Sequence, residues 1–142
     1  MTQEEKQLLI KDLSARLLYG VICACGFHNG HVQQKKLLKI MSYTTHPYCV
    51  ELDNGEYMPS AYMLDDIKPY LRPMSSMTEE ECMELSKMIP CETDAWKYIK
   101  TPVPLYIANV EQFDFFNSHH LDWRGLINKG LALKASEDMY KN

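Results

Sequence analysis

The chain has 142 residues, 46% hydrophobic and 24% charged, with a net charge of −4. These values fit a globular domain with its own core and argue against a general polyanion binder, which needs a concentrated basic surface. The start, MTQEEKQLLIKDL, is charged and lacks the apolar core of a signal peptide, and no apolar run approaches membrane-spanning length. Five cysteines, at 23, 25, 49, 82 and 91, are an odd number. Free thiols in a reducing cytoplasm are therefore expected.

Thr2 and Glu5 form a capping box, in which each side chain meets the backbone N–H of the other. Leu9, Ile10, Leu13 and Leu17 follow at helical spacing. An amphipathic helix is predicted over 3–16, with Glu4, Lys11 and Arg16 on its exposed face. The next stretch, YGVICACGF, is rich in β-branched, aromatic and small residues and leads into Asn29-Gly30. Asn-Gly favours a type I′ hairpin turn because both central residues need positive φ. HVQQKKLLKIMSY is the expected returning strand, and its broken alternation predicts a bulge or a slip in register. YCVELDNGEYMP repeats the device. Val50 and Leu52 share a face, Asn54-Gly55 turns the chain, and Glu56 to Met58 return, with Pro59 at an edge or bulge.

In LDDIKPYLRPMSSM, Asp65 or Asp66 is expected to cap one helical turn that Pro69 cuts short, and Pro73 marks a linker. Thr78 and Glu81 form a second capping box, with Met77 and Cys82 placed as a hydrophobic staple. Leu85, Met88 and Ile89 continue the apolar side until Pro90 ends the helix. DAWKYI allows another helical turn or two, and TPVPLYI must be extended. Asn109, with Gln112, caps a third helix whose stripe is Val110, Phe113, Phe116 and His120. Asp122 is read as the cap of a last short helix, WRGLINK, with Gly130 in the left-handed position after it. The fold class is α+β: one helix, then a small antiparallel β-sheet or SH3-like barrel, then a helical C-terminal part. Residues 1–73 hold the helix and sheet, and residues 74–142 pack on them as part of one unit.

VICACGFHNGH carries four candidate metal ligands, Cys23, Cys25, His28 and His31. Zinc needs such ligands to converge tetrahedrally. On a strand, Val21, Cys23, Cys25 and Phe27 point one way and Ile22, Ala24 and His28 the other. A two-residue turn then puts His28 and His31 on one face and both thiols on the opposite one. Two buried thiols and two exposed turn histidines are expected, and no metal. In SHHLDWRG, His119, His120 and Asp122 are residue types used in hydrolysis and acid–base work. His120 also reads as a packed histidine, Asp122 as a cap, and Trp123 with Arg124 as a surface stack. No phosphate-binding glycine loop, H-E-x-x-H or G-x-S-x-G motif occurs.

The aromatic content offers binding chemistry instead, since rings on a small sheet can stack on a base or hold a peptide. Candidate ligand-binding residues are Tyr43, Tyr48, Tyr57 and Tyr62, the basic Lys35 and Lys36, and His119, Trp123 and Arg124. Lys39 extends the basic cluster.

The segments MTQEEKQLLIKDLSARL, DDIKPYLRPMSSMTEEE and NSHHLDWRGLINKGLALKASEDMY cover roughly two fifths of the chain. Together they resemble a family of small proteins of gut Bacteroidales and of their phages and mobile elements. The resemblance implies a bacterial cytoplasm and a phage or mobile-element setting, and carries over no catalytic residue. The expectation is a non-enzymatic accessory protein without a cofactor. It would bind a host protein, or sequester a nucleotide-type immune signal as an anti-defence measure. Self-association into a homo-oligomer is compatible with this. The alternatives are nucleic-acid binding through Lys35, Lys36 and Lys39, and a metal-dependent hydrolase using His119, His120 and Asp122.

Overall fold

The computed structural model describes residues 1–42, 48–55, 60–88 and 110–141. Helix α1 spans Gln3–Arg16, and its capping box forms as expected, with Glu5 N donating to Thr2 Oγ1 and Thr2 N to Glu5 Oε2. Five strands follow: β1 Ile22–Cys25, β2 Gln33–Met41, β3 Cys49–Leu52, β4 Ser60–Met63 and β5 Ile67–Leu71. Helices α2 (Glu79–Met88) and α3 (Val110–Ser118) precede the short β6 (Leu133–Lys134). The class is α+β, an N-terminal helix with a mostly antiparallel sheet and helices beyond it. Among the described residues, the six strands run in the order β4-β3-β2-β1-β5-β6.

The barrel alternative is corrected, because the sheet stays open. Closure would need its outer strands to pair. Instead, β5 is flanked by β1 on one side and on the other by β6, which arrives from the C-terminal chain and pairs in parallel at Tyr70↔Leu133. The expected bulge lies in β2, where the register with β3 shifts between Leu37 and Lys39.

Several local expectations change. The first hairpin is not a two-residue Asn-Gly turn. Cys25 pairs with Gln33, and between them Gly26 is left-handed (φ 87°) and Phe27–Asn29 make a 3-10 turn. Asn29 keeps negative φ and uses its side chain to accept from His31 N at 3.0 Å. Phe27 is consequently exposed rather than in line with the core thiols. The expected Glu56–Met58 return lies outside the described residues, and the strand that pairs with β3 is Ser60–Met63. Pro69 does not end a helix: the turn is Leu64–Asp66, and Pro69 sits inside β5 opposite Cys23. WRGLINK forms successive turns rather than a helix, because Asp122 accepts from both Leu126 N and Ile127 N. Asn109 and the segments DAWKYI and TPVPLYI are outside the described residues. On α3 the buried positions are Gln112, Phe115, Phe116 and Asn117, while Val110 is exposed.

Among the described residues, two apolar clusters form the core. In the first, Leu9, Ile10 and Leu13 of α1 meet Val21, Cys23, Cys25, Leu37, Val50, Leu52, Ile67 and Leu71, and Leu126, Leu131 and Ala132 join from the C-terminal part. In the second, Met74, Met77, Cys82 and Leu85 meet Phe115, Phe116 and Leu121. The second capping box is present, with Glu81 N donating to Thr78 Oγ1 and Thr78 N to Glu81 Oε1. Among the described residues, no helix is long and apolar enough to cross a membrane.

Arg16, expected on the exposed face of α1, is fully buried. Its Nε and Nη2 donate to Asp12, one helical turn earlier, and Nη2 also donates to Leu121 O at 2.8 Å. The guanidinium thus ties α1 to the start of the C-terminal segment.

Candidate functional site

Strand alternation sends Cys23 into the core against α1 and its neighbour Ile22 to the opposite face of β1. Ile22 pairs with Lys36 and Ala24 with Gln34, so Ile22, Gln34 and Lys36 share that face. They floor a cleft of about 610 Å³. One wall is Tyr19 and Gly20, at the end of the turn after α1; a second is Ser118, His119 and His120, at the end of α3. Arg72, just past β5, and the C-terminal residues Met139, Tyr140 and Lys141 complete it.

The rim is basic. Lys36, Arg72 and Lys141 line the cleft, and among the described residues no carboxylate does. Their charges are not equally free. Arg72 makes a two-pronged pair with Glu81 (2.8 and 3.0 Å) and donates to Ser76 O and His119 O. Burial pushes the Glu81 carboxyl up, but hydrogen bonds from Arg72 and Thr78 and the Arg72 charge bring it below its ordinary value. Lys141 Nζ is 3.4 Å from Asp138 on the surface. Lys36 has no ion pair among the described residues, and its side chain lies over Gly20, where a Cβ would come within 3.0 Å of Lys36 Cε.

Tyr140 fixes the C-terminal wall. Its hydroxyl donates to Tyr70 O (2.7 Å) and accepts from Ile22 N (3.0 Å). Its ring stacks on His120 at 3.7 Å. Burial pushes the phenol well up from its usual range. His120 is 6% exposed, its Nδ1 has no partner, and its φ of 57° is the one positive value at a non-glycine residue among the described positions. Burial first, then the charge of Arg16 and the neighbours His119 and Arg72, lower its pKa to about 4, so the ring is neutral at physiological pH.

The candidate residues from the sequence are dispersed. Lys36 and His119 meet in the cleft. Lys35, next to Lys36 on β2, points to the other face, where its Nζ reaches Tyr62 OH at 3.2 Å and lies over the Tyr62 ring. Lys35 and Lys36 therefore do not make one patch. Tyr48 packs against the first core. Tyr43 and Tyr57 lie outside the described residues. Arg124 stacks on Trp123 at 4.0 Å as expected, yet Trp123 Nε1 donates to Asn117 and Arg124 Nε lies 3.4 Å from the buried Asp12. This stack braces α1 and α3 rather than the cleft.

Both oxygens of Asp122 accept from its own turn, and among the described residues no hydrogen bond joins it to the His119 or His120 ring. Burial raises its pKa, against the lowering effect of those two hydrogen bonds. The cysteines and histidines of VICACGFHNGH also stay apart. Cys23 and Cys25 are buried, with the Cys23 thiol pushed up to about 12 by burial, whereas His28 and His31 are exposed in the loop. Among the described residues, no group of three or more His, Cys, Asp or Glu converges as metal ligands.

No family model, curated protein or solved structure matches this chain. The cleft therefore stands on its own chemistry. Sequence reasoning missed Tyr19, Arg72, Tyr140 and Lys141 as cleft residues. The contact of Tyr140 with Ile22 spans 118 positions, and no local pattern announces it.

Proposed function

We propose that this protein binds a small anionic, ring-bearing ligand of nucleotide type in the cleft over β1 and β2. The observation that carries the reading is the lining itself: Lys36, Arg72 and Lys141 beside Tyr19 and His119, with no carboxylate among the described residues. A volume of about 610 Å³ is within the range that holds small organic ligands. A lysine without a carboxylate partner attracts a phosphate, and aromatic rings offer faces to a base. Binding is supported over turnover because the lining holds no carboxylate among the described residues, and Glu81 and Asp122 are committed, to Arg72 and to the turn after Asp122. The phage or mobile-element setting implied by the resemblance makes sequestration of a nucleotide immune signal the use to test first.

Native mass spectrometry before and after denaturation, followed by calorimetric titration with linear and cyclic nucleotides, tests this. The expected result is a carried or added nucleotide mass, with Lys36→Glu weakening binding at least tenfold while the circular dichroism spectrum is unchanged. An apo mass with no binding across the panel overturns the reading. The same spectra report whether the chain self-associates or carries a protein partner.

A further inference from the structure

Within the cleft of the proposed function, we infer that His119 is a specificity-determining residue. It presents a hydrogen-bond acceptor to the ligand and selects nucleotides that carry an amine or hydroxyl hydrogen as well as the anion. The inference rests on that function and follows from the hydrogen bonds of the His119 ring.

His119 Nδ1 lies 2.9 Å from Phe115 O. A carbonyl oxygen has no hydrogen to give, so this contact is a hydrogen bond in the tautomer that carries the proton on Nδ1. Ser118 Oγ, 3.2 Å from the same nitrogen, donates its own hydrogen to Phe115 O and in that tautomer accepts from Nδ1. The ring is held as well as oriented, because it stacks on Phe115 with centroids 4.1 Å apart. With Nδ1 turned to the helix end, Nε2 lies on the opposite edge of the imidazole. It has no partner among the described residues, and the residue lines the cleft.

In the neutral ring, Nε2 is a lone-pair acceptor. The cations that line the same cleft are donors: Lys36, Lys141 and Arg72, whose guanidinium contacts His119 O at 3.3 Å. A plain anion satisfies only the donors. A ligand that carries an N–H or O–H as well as its phosphate satisfies Nε2 too, and sites that hydrogen-bond such a group discriminate strongly against analogues that lack it. In a nucleotide the hydrogen comes from the ribose 2′-hydroxyl or, at the far end of the ligand, from an exocyclic base amine.

The test uses the full chain and adenosine 5′-monophosphate, its 2′-deoxy analogue and purine riboside 5′-monophosphate. Nitrogen-15 long-range NMR at pH 8 reads the ring tautomer directly. The Nδ1–H form is expected, with the Nε2 resonance moving when adenosine monophosphate is added. Calorimetry should show at least tenfold weaker binding of one analogue: the deoxy compound if the ribose 2′-hydroxyl is read, the riboside if the amine is. His119→Phe should erase that difference, whereas His119→Gln, which keeps an acceptor, should retain part of it. An Nε2–H ring, equal binding of all three compounds, or no binding of adenosine monophosphate overturns the inference. The wider nucleotide panel decides separately whether the cleft takes any nucleotide, so the two failures are distinguishable.

Discussion

Asp12 and Arg16 are both fully buried, one helical turn apart on α1, with Arg124 also within 3.4 Å of the Asp12 carboxylate. Two guanidinium groups thus share one anion in a low-dielectric site. Asp12→Ala would leave both cations without it, and an uncompensated buried charge costs about 3–5 kcal/mol. Urea denaturation should show a loss of that size, larger than for Lys11→Ala on the exposed side of the helix. His120 gives a second test at this scale. Its pKa falls from 6.5 to about 4 on folding, so between those values the unfolded chain takes up a proton that the native chain refuses. This contribution is fully present above pH 6.5 and is lost as pH falls toward 4, by up to about 3 kcal/mol. Asp122, whose pKa is raised, works in the opposite direction, so the contribution is best isolated by comparison. His120→Asn tolerates the left-handed backbone, and its stability should fall less steeply over the same pH interval. Equal slopes for the two proteins would refute the assignment.

Among the elements, the features that depend on three or four consecutive residues are the ones the sequence makes legible. Both capping boxes form as read, and so does the bulge in β2, because their partners lie close along the chain or break a simple alternation. Replacing Thr78 by Ala should lower stability by about 1 kcal/mol, measured by thermal denaturation. Asn29-Gly30 misled because an Asn-Gly pair also fits a longer loop, with Asn29 holding His31 N through its side chain. The residue that makes this loop possible is Gly26. Its φ of 87° and a Cβ position 2.5 Å from His31 O leave no room for alanine. Gly26→Ala should cost about 1–3 kcal/mol or more from strain at this backbone position, and hydrogen exchange should quicken along β1 and the start of β2. Pro69 was misread for a similar reason. Its fixed φ suits a strand as well as a helix stop, and the pairing with Cys23 decides between them.

At the scale of the whole molecule, the C-terminal part completes the N-terminal core. Leu126, Leu131 and Ala132 lie in the same apolar cluster as Leu9 and Leu13, β6 extends the sheet at β5, and Leu121 O accepts from Arg16. A fragment of residues 1–73 should therefore fail to fold, with no dispersed amide resonances in its NMR spectrum. A folded fragment would show that the two parts are separable.

The sequence by itself determined the α+β class, the first helix and its cap, and the buried thiols. Each follows from composition, short-range spacing or alternation. His120 is buried, but past the end of α3 and against Tyr140 rather than on the helical stripe. Only the tertiary structure decided that the sheet stays open, that Arg16 is buried, and that Lys36 parts from Lys35 to meet His119, Arg72 and Tyr140. The physical reason is the range of the interactions. Local hydrogen bonds and apolar periodicity are written within a few residues, whereas the cleft is assembled by strand pairing and by side chains such as Tyr140 that find partners 70 and 118 positions away.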